Sequence, residues 1–230
     1  MRYDLVPART ALLVIDMQND FLLPDAPLAS PHASQVIEQL GRVVERCRDM
    51  GAMVVFTAAV FEPDGSDAGR WVECWSDLVN EDGVPVVLLA GTPGVEVHDD
   101  IRPLPGEPLI RKNRYSALFN TELDSILTEH GIDTLVIGGV DTDICCESTA
   151  REAMFRTYKV LFLSDATATL EYPDTGWGAV SSEEAHRVAL VRLSQAFCEV
   201  LSTDDFLERT AHLASGSRDA DQVLQASQPD

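Results

Sequence analysis

Residues 135–153 constrain the fold of this chain most strongly. They read LVIGGVDTDICCESTAREA, in which an apolar run passes through paired glycines and a polar turn into a pattern with helical spacing. This order predicts a strand, a turn and a helix, with Cys145 where the helix begins. The N-terminus of a helix presents unpaired N–H groups and the positive end of the peptide dipole, which favour a thiolate and lower the pKa of a thiol. Cys145 is therefore a candidate nucleophile.

An uninterrupted apolar run at residues 10–15, TALLVI, ends at Asp16. A run without alternation is typical of a strand that is buried on both faces, as in a parallel sheet. Helical spacing over residues 34–47 follows, Gly51 closes that helix, and residues 53–56 form a second apolar run. A strand–helix–strand unit of this kind predicts an α/β architecture.

The rest of the chain continues the alternation of strands and helices. We predict strands at 108–112, 134–137, 159–163 and 199–202, and helices at 120–129, 143–156, 181–197 and 204–209. Residues 61–108 are rich in Gly, Pro and Asp, so we expect a loop or lid region with one short helix over 71–79. Trp71 and Trp75 in that helix either line a site, form a subunit contact or simply pack.

Length and charge restrict the classes of function. The 230 residues fit one globular domain, which we place at 1–210, followed by a polar tail at 211–230 that we expect to be disordered. A net charge of −21 argues against nucleic acid and anionic membranes as partners. There is neither a signal-peptide pattern nor an apolar run near the ~20 residues that span a bilayer, so we expect a cytoplasmic protein.

The cysteine and histidine patterns do not suggest a metal centre. The five cysteines are irregularly spaced, which argues against a disulfide framework, and no Cys/His cluster has the spacing of zinc ligands. Cys145 and Cys146 are neighbours on a helix and point about 100° apart, so we expect only one of them to face a site. The histidines have no partner spacing and we expect them at the surface; they are His32, His98, His130, His186 and His212.

Three residues with complementary chemistry come at or just beyond the ends of predicted strands: Asp16, Lys112 and Cys145. Functional groups in open parallel sheets gather outside the carboxyl ends of the strands, so these three side chains could converge. Taken singly, Asp16 is also compatible with a turn-forming role, Lys112 with a solvated side chain and Cys145 with simple packing. Together they supply a base, a cation and a nucleophile, in which the carboxylate takes the thiol proton and the ammonium stabilises the thiolate.

Four segments carry a resemblance to a known family: 11–21 (ALLVIDMQNDF), 112–127 (KNRYSALFNTELDSIL), 138–153 (GGVDTDICCESTAREA) and 160–169 (VLFLSDATAT). The chain resembles the isochorismatase-like cysteine hydrolases, which include nicotinamidases, N-carbamoylsarcosine amidases, biuret hydrolases and ureidoacrylate amidohydrolases. The resemblance implies a three-layer α-β-α fold of Rossmann-like topology with a mainly parallel six-stranded sheet. It also implies a catalytic triad of Asp16, Lys112 and Cys145.

The resemblance further implies a cis peptide bond between Val140 and Asp141. The backbone N–H groups of Asp141 and Cys145 would then form an oxyanion hole. An aspartate at position 141 is less usual for the family, because a negative charge beside an oxyanion hole opposes stabilisation of an anion unless the side chain points away.

Substrate-binding positions also follow from the resemblance, at Phe21, Tyr115 and Asn120. Phe21 is equally compatible with packing, and Asn120 with capping of the next helix. Family members are commonly homodimers or homotetramers, so we expect a homo-oligomer. The expected partner is a small-molecule substrate.

The implied reaction is hydrolysis of a small linear amide, ureido or carbamoyl compound through a thioester on Cys145, with release of ammonia or an amine. Nicotinamidases carry an Asp/His metal cluster after the second strand, whereas residues 55–67 hold no histidine, so we expect no metal or other cofactor. True isochorismatases lack the cysteine nucleophile. The motifs look closest to the ureidoacrylate and biuret type. The alternatives are a nicotinamidase-like amidase, a non-catalytic binding or assembly protein and, from the vicinal cysteines, a redox sensor.

Overall fold

A single six-stranded sheet organises residues 3–213, the part of the chain that this computed structural model describes. The strands are β1 (Thr10–Ile15), β2 (Met53–Ala59), β3 (Leu109–Lys112), β4 (Thr134–Val140), β5 (Lys159–Ala168) and β6 (Glu199–Leu201). They lie in the order β3-β2-β1-β4-β5-β6, and every neighbouring pair is parallel. The predicted α/β class and parallel sheet are confirmed.

Helices cover both faces of this sheet. They are α1 (Asn19–Leu22), α2 (Ala33–Asp49), α3 (Trp71–Cys74), α4 (Leu123–Glu129), α5 (Glu147–Phe155), α6 (Ser182–Ala196) and α7 (Thr203–Thr210). Alternate residues of β1 enter two separate cores, one shared with α2 and α7 and the other with α4, α5 and α6. The fold therefore has three layers, and β1 is buried on both faces, as its continuous apolar run predicts.

Several predicted boundaries differ from the observed ones. Strands β4 and β5 run past their predicted ends to Val140 and Ala168. The helix predicted over 143–156 begins as a π-helical turn, Thr142–Cys146, before α5. The helix predicted over 71–79 is interrupted at Trp75, whose backbone leaves the helical region, and resumes as a 3-10 turn. The predicted tail lies outside the described residues apart from 211–213.

Residues 61–108, predicted as a loop or lid region, contain little regular secondary structure. This region contains α3 and three 3-10 turns, Ser76–Leu78, Pro93–Val95 and Asp99–Ile101. No helix within residues 3–213 has the length and apolar character needed to cross a lipid bilayer.

Gly139 allows β4 to approach the end of β1 very closely. Its φ is +127°, and a Cβ atom placed there would lie 2.0 Å from the carbonyl oxygen of Ile15. The pairing of β4 with β5 is irregular between Ile137 and Gly139. A residue without a side chain is therefore required here, and the close approach brings the segment after β4 alongside Asp16.

Candidate active site

The structure brings Asp16, Lys112 and Cys145 together at the carboxyl ends of the strands. Asp16 follows β1, Lys112 is the last residue of β3, and Cys145 is the fourth residue of the π-helical turn after β4. The Lys112 Nζ lies 2.6 Å from Asp16 Oδ2 and 3.4 Å from Cys145 Sγ. All three side chains are buried, so the ion pair and the thiol interact in an environment with little water.

Thr57 on β2 orients the Asp16 carboxylate. Its hydroxyl donates a hydrogen bond to Asp16 Oδ1 at 2.6 Å and accepts one from the Asp16 backbone N–H at 3.1 Å. Asp16 itself has a φ of +49°, a left-handed conformation that such local hydrogen bonds help to hold. Sequence reasoning missed Thr57, although a lone hydroxyl inside the apolar run of a central strand was the available signal.

Gln18 ties the segment after Asp16 to the neighbouring strand. Its side-chain amide donates to the carbonyl oxygen of Ala59 and accepts from the Ala59 N–H, at 2.9 and 2.7 Å. It also donates to the carbonyl oxygen of Val95 at 3.1 Å, which anchors the loop region. Sequence reasoning missed this residue too.

The electrostatics of the cluster favour an ammonium next to a neutral thiol. Burial lowers the pKa of Lys112, but its interactions with Asp16 and Cys145 raise that pKa by more, so it lies above the ordinary value. Burial raises the pKa of the Cys145 thiol; Lys112 lowers that pKa, whereas Asp16 and Asp141 add to the increase. The expected lowering of the Cys145 pKa is therefore wrong, because loss of hydration outweighs the dipole of a helix that starts only at Glu147.

The two neighbouring cysteines have different surroundings. Cys145 lines a cavity, whereas Cys146 is fully buried in the core between the sheet and α4–α6. Burial raises the pKa of Cys146 well above its ordinary value. Within residues 3–213, only Cys145 of this pair is placed to react with a bound molecule.

The peptide bond between Val140 and Asp141 is cis. The carbonyl oxygen of Asp141 accepts hydrogen bonds from the N–H groups of Ile144 and Cys146, at 3.2 and 3.0 Å, which close the π-helical turn. The Asp141 side chain is buried and its Oδ1 atom has no hydrogen-bond partner among the described residues. Burial raises the pKa of this carboxyl well above its usual range, and Asp143 and Asp16 raise it further.

The cavity next to Cys145 has a volume of about 440 Å³ and is walled mainly by apolar and aromatic side chains. Its larger apolar lining residues are Phe21, Leu28, Phe61, Trp71, Trp75, Leu88, Tyr115 and Ile144. Trp71 stacks on Trp75 with ring centroids 6.1 Å apart, and Phe61 contacts Trp71 at 5.1 Å with its ring tilted by 53°. The Trp75 indole N–H donates to the Tyr115 hydroxyl at 3.1 Å, so the loop region supplies one wall of the cavity.

The three predicted substrate-binding residues do not all lie in this cavity. Phe21 and Tyr115 line it, whereas Asn120 is exposed and is absent from its lining. Asn120 has a φ of +53° and lies in the turn before α4, a conformation that asparagine adopts more readily than most residues. Its position is explained by that turn.

His186 departs from the expectation that the histidines lie at the surface. It is partly buried on α6, with Nδ1 2.8 Å from Thr142 Oγ1 and Nε2 2.9 Å from the carbonyl oxygen of Ser164. Burial lowers its pKa. His186 therefore connects the π-helical turn to β5. Within residues 3–213, no three His, Cys, Asp or Glu side chains group in a way that could hold a metal ion.

The fold agrees with comparisons to known proteins. A family model described as the Isochorismatase domain matches residues 10–205. The chain belongs to the isochorismatase family. The family resemblance seen in the motifs is confirmed, and with it the assignment to hydrolases.

Several curated relatives and solved structures that match the chain are named as amidohydrolases, nicotinamidases, amidases or cysteine hydrolases. The ureidoacrylate amidohydrolase RutB of Caulobacter segnis is 31% identical, over 90% of this chain and 88% of its own length. Nicotinamidase 3 of Arabidopsis thaliana is 32% identical, over 84% and 85%. A cysteine hydrolase from Pseudomonas syringae superposes with a TM-score of 0.86 at 32% identity, over 92% of this chain and 97% of that one. An N-carbamoylsarcosine amidase from Thermoplasma acidophilum gives a TM-score of 0.67 at 30% identity, over 85% and 97%.

Proposed function

We propose that this isochorismatase-family hydrolase is a cysteine-dependent amidohydrolase that acts on a small linear amide, ureido or carbamoyl compound. The observation that carries the proposal is the buried contact of Lys112 Nζ with both Asp16 Oδ2 and Cys145 Sγ beside a cavity large enough for a small molecule. The names of relatives, which include a ureidoacrylate amidohydrolase and an N-carbamoylsarcosine amidase, support the same class of bond.

Acylation begins with the Cys145 thiol in its neutral form. Asp16 accepts the thiol proton as Sγ attacks the substrate carbonyl carbon, and Lys112 offsets the negative charge that moves between them. The carbonyl oxygen becomes an oxyanion that accepts hydrogen bonds from the backbone N–H groups of Asp141 and Cys145. Asp16 then gives its proton to the leaving nitrogen, the C–N bond breaks, and ammonia or an amine departs.

Deacylation reverses these roles. Water attacks the thioester carbonyl carbon while Asp16 accepts a proton from it. The C–S bond breaks, the acid product leaves, and Asp16 returns the proton to the Cys145 sulfur. Proton transfer between adjacent groups in a buried site avoids the need for a permanently ionised thiolate, which agrees with the raised pKa of Cys145.

An ammonia-release screen over ureidoacrylate, biuret, N-carbamoyl amino acids, nicotinamide and simple amides tests the proposal. We expect turnover of at least one compound, loss of that turnover in Cys145→Ala, and retention of most of it in Cys146→Ala. The second variant is a matched control because it removes a neighbouring thiol that does not line the cavity. Activity that survives in Cys145→Ala and is lost in Cys146→Ala would refute the assignment.

A nicotinamidase-like amidase is the second candidate, and the aromatic cluster of Phe61, Trp71 and Trp75 is the observation that favours it. A flat heteroaromatic amide would pack well against these rings. The same screen separates the two candidates, because turnover of nicotinamide above all ureido compounds would favour the second. A non-catalytic binding protein would release no ammonia from any compound in the screen.

A further inference from the structure

Helix α6 is attached to both ends of the π-helical turn that carries Cys145. At the start of the turn, His186 Nδ1 lies 2.8 Å from the hydroxyl oxygen of Thr142. Just beyond its end, Arg192 donates a hydrogen bond to Glu147 Oε2 at 2.9 Å. The proposed nucleophile therefore lies between two attachments to the same helix, and the proposed mechanism uses neither of them.

The attachment at Thr142 has less redundancy than the one at Glu147. Glu147 also accepts two hydrogen bonds from Arg151 on α5, at 2.6 and 2.9 Å, so it keeps an ion-pair partner without Arg192. Thr142 is completely buried, and its hydroxyl is bonded to the His186 ring. A buried polar group that loses its partner is costly, so the position of the turn depends more on His186 than on Arg192.

The second nitrogen of the His186 ring holds the ring in place. Nε2 lies 2.9 Å from the carbonyl oxygen of Ser164, in the stretch of β5 where the pairing with β4 is irregular. A carbonyl oxygen only accepts hydrogen bonds, so Nε2 carries the hydrogen. In the neutral ring Nδ1 is then an acceptor, and the Thr142 hydroxyl is the donor.

The surroundings of His186 keep its ring neutral. Burial lowers the pKa of His186, and the neighbouring His32 adds to this effect. The hydrogen bond to Ser164 and the charge of Asp143 raise it by less, so the pKa lies below its ordinary value. At pH 7 Nδ1 is therefore available to the Thr142 hydroxyl, and the imidazole is a rigid spacer between β5 and the turn.

The position of the turn decides whether the reacting groups meet. Thr142 directly follows Asp141, whose backbone N–H is proposed to bind the oxyanion, and lies three residues before Cys145. The Cys145 sulfur must also stay beside Lys112 Nζ, which lies 3.4 Å away. A shift of about 1 Å in such groups can slow a reaction about 100-fold, so a small displacement of Thr142 is enough to affect turnover.

We propose that His186 is a positioning residue, which holds the π-helical turn through the Thr142 hydroxyl so that Cys145 and the oxyanion-binding N–H groups face the substrate carbonyl. This inference rests on the proposed amidohydrolase function. His186 does not touch the substrate, because it lines a separate small cleft of about 180 Å³ and not the cavity at Cys145. It acts on the rate through Thr142.

Asparagine and glutamine distinguish the two nitrogens of the His186 ring. Asparagine places its amide oxygen near the position of Nδ1, so His186→Asn keeps an acceptor for Thr142 and loses the bond to Ser164. The longer glutamine places its amide N–H near the position of Nε2, so His186→Gln keeps the donor for Ser164 and loses the bond to Thr142. Each variant therefore loses one hydrogen bond, and only His186→Gln releases the turn.

The constant that should separate these variants is kcat. We expect His186→Gln to lower kcat by about 10- to 100-fold and to leave KM within about threefold of wild type. His186→Asn should keep kcat within about fivefold of wild type, because the Thr142 hydroxyl keeps its acceptor. Ammonia release with the best substrate from the screen measures both constants, and melting temperatures show whether the two variants are equally stable. His130→Asn, at the exposed end of α4, is the control and should leave both constants unchanged.

Substitutions of Thr142 test the same hydrogen bond from its other end. Thr142→Val removes the hydroxyl with little change of shape and should lower kcat as much as His186→Gln does. Thr142→Ser keeps the hydroxyl and should retain most of the turnover. Because both changes break one bond, the double variant of Thr142→Val and His186→Gln should be no more than about threefold slower than the slower single variant.

Equal losses of kcat in His186→Asn and His186→Gln would overturn the inference, since a merely structural role does not distinguish the two nitrogens. So would wild-type kcat in His186→Gln, or effects that multiply in the double variant. If the His186 variants do not fold, the Thr142 variants decide: a Thr142→Val protein that keeps as much kcat as Thr142→Ser rejects the inference.

The proposed function and this inference fail in different ways. Turnover that depends on Cys145, with wild-type kcat in His186→Gln, rejects only the role of His186. Absence of turnover with every compound rejects the proposed function. In that case amide hydrogen exchange across residues 141–147, followed by mass spectrometry, decides whether His186 holds the turn. Faster exchange in His186→Gln than in His186→Asn supports this role, and equal exchange in the two variants rejects it.

Discussion

Replacing Thr57 by valine tests whether the orientation of Asp16 matters for both stability and turnover. Valine has nearly the same shape as threonine but no hydroxyl. The change removes the 2.6 Å hydrogen bond to Asp16 Oδ1 and the 3.1 Å hydrogen bond from the Asp16 N–H. Both atoms then remain buried without this partner.

The expected loss of stability follows from the charge on Asp16. A hydrogen bond to a charged group contributes about 1.5–3 kcal/mol, and a buried N–H left unpaired costs more than an exposed one. We expect the free energy of unfolding to fall by about 2–3 kcal/mol in Thr57→Val. Because Asp16 must stay aligned with Cys145 to accept its proton, a small displacement should lower kcat by about 10- to 100-fold.

Urea denaturation followed by tryptophan fluorescence measures the first effect, and ammonia release with the best substrate from the screen measures the second. Thr57→Ser is the matched control, since it keeps the hydroxyl and loses only a methyl group. We expect it to retain kcat within a few-fold. A Thr57→Val protein with wild-type stability and kcat would show that this hydroxyl does not position the base.

Three further predictions concern the ion pair of Lys112, the close packing at Gly139 and the ionisation of Cys145. Lys112→Met should cost about 3–5 kcal/mol of stability and abolish turnover, because it leaves the buried Asp16 carboxylate without its ion-pair partner. Chemical denaturation and ammonia release check it. Gly139→Ala should lower the free energy of unfolding by more than about 4 kcal/mol, because the new Cβ would overlap Ile15. Gly41→Ala on α2 has open space around it, so this control should leave stability unchanged or raise it slightly. Melting temperatures of the two variants give the contrast. Iodoacetamide should alkylate Cys145 slowly at pH 7, and the rate of alkylation should still increase at pH 9. The reason is that only the thiolate reacts and burial raises the pKa of the thiol. Mass spectrometry measures this rate in a variant that lacks the exposed thiol of Cys74. A plateau below pH 7 would contradict a neutral resting thiol.

Patterns along the chain were sufficient to predict the sheet and the meeting of the three reactive residues. The apolar run that ends at Asp16 shows no alternation, which predicts a strand buried on both faces, and the structure has it at the centre of the sheet. Because all six strands are parallel, their carboxyl ends lie at one edge, so residues that follow them are brought close together.

Features that depend on three-dimensional packing could not be predicted from the sequence. The orienting role of Thr57 depends on which residue of β2 lies beside the end of β1, and a single threonine in an apolar strand does not indicate a partner. The direction of the Cys145 pKa shift depends on depth of burial, which local motif chemistry does not reveal. The contact of His186 with Thr142 depends on how α6 packs on the π-helical turn.

The two sides of the cavity differ in the structure that supports them, which is the central sheet on one side and a loop region on the other. Asp16, Thr57 and Asp141 lie on or beside the three adjacent strands β1, β2 and β4, whereas Trp71 and Trp75 of the aromatic wall belong to a loop region outside the six-stranded sheet. Regions of this second kind open in local fluctuations that leave a central sheet intact. Low concentrations of guanidinium chloride should therefore raise KM before kcat declines. The enzyme would bind its substrate more weakly while its catalytic groups are still assembled.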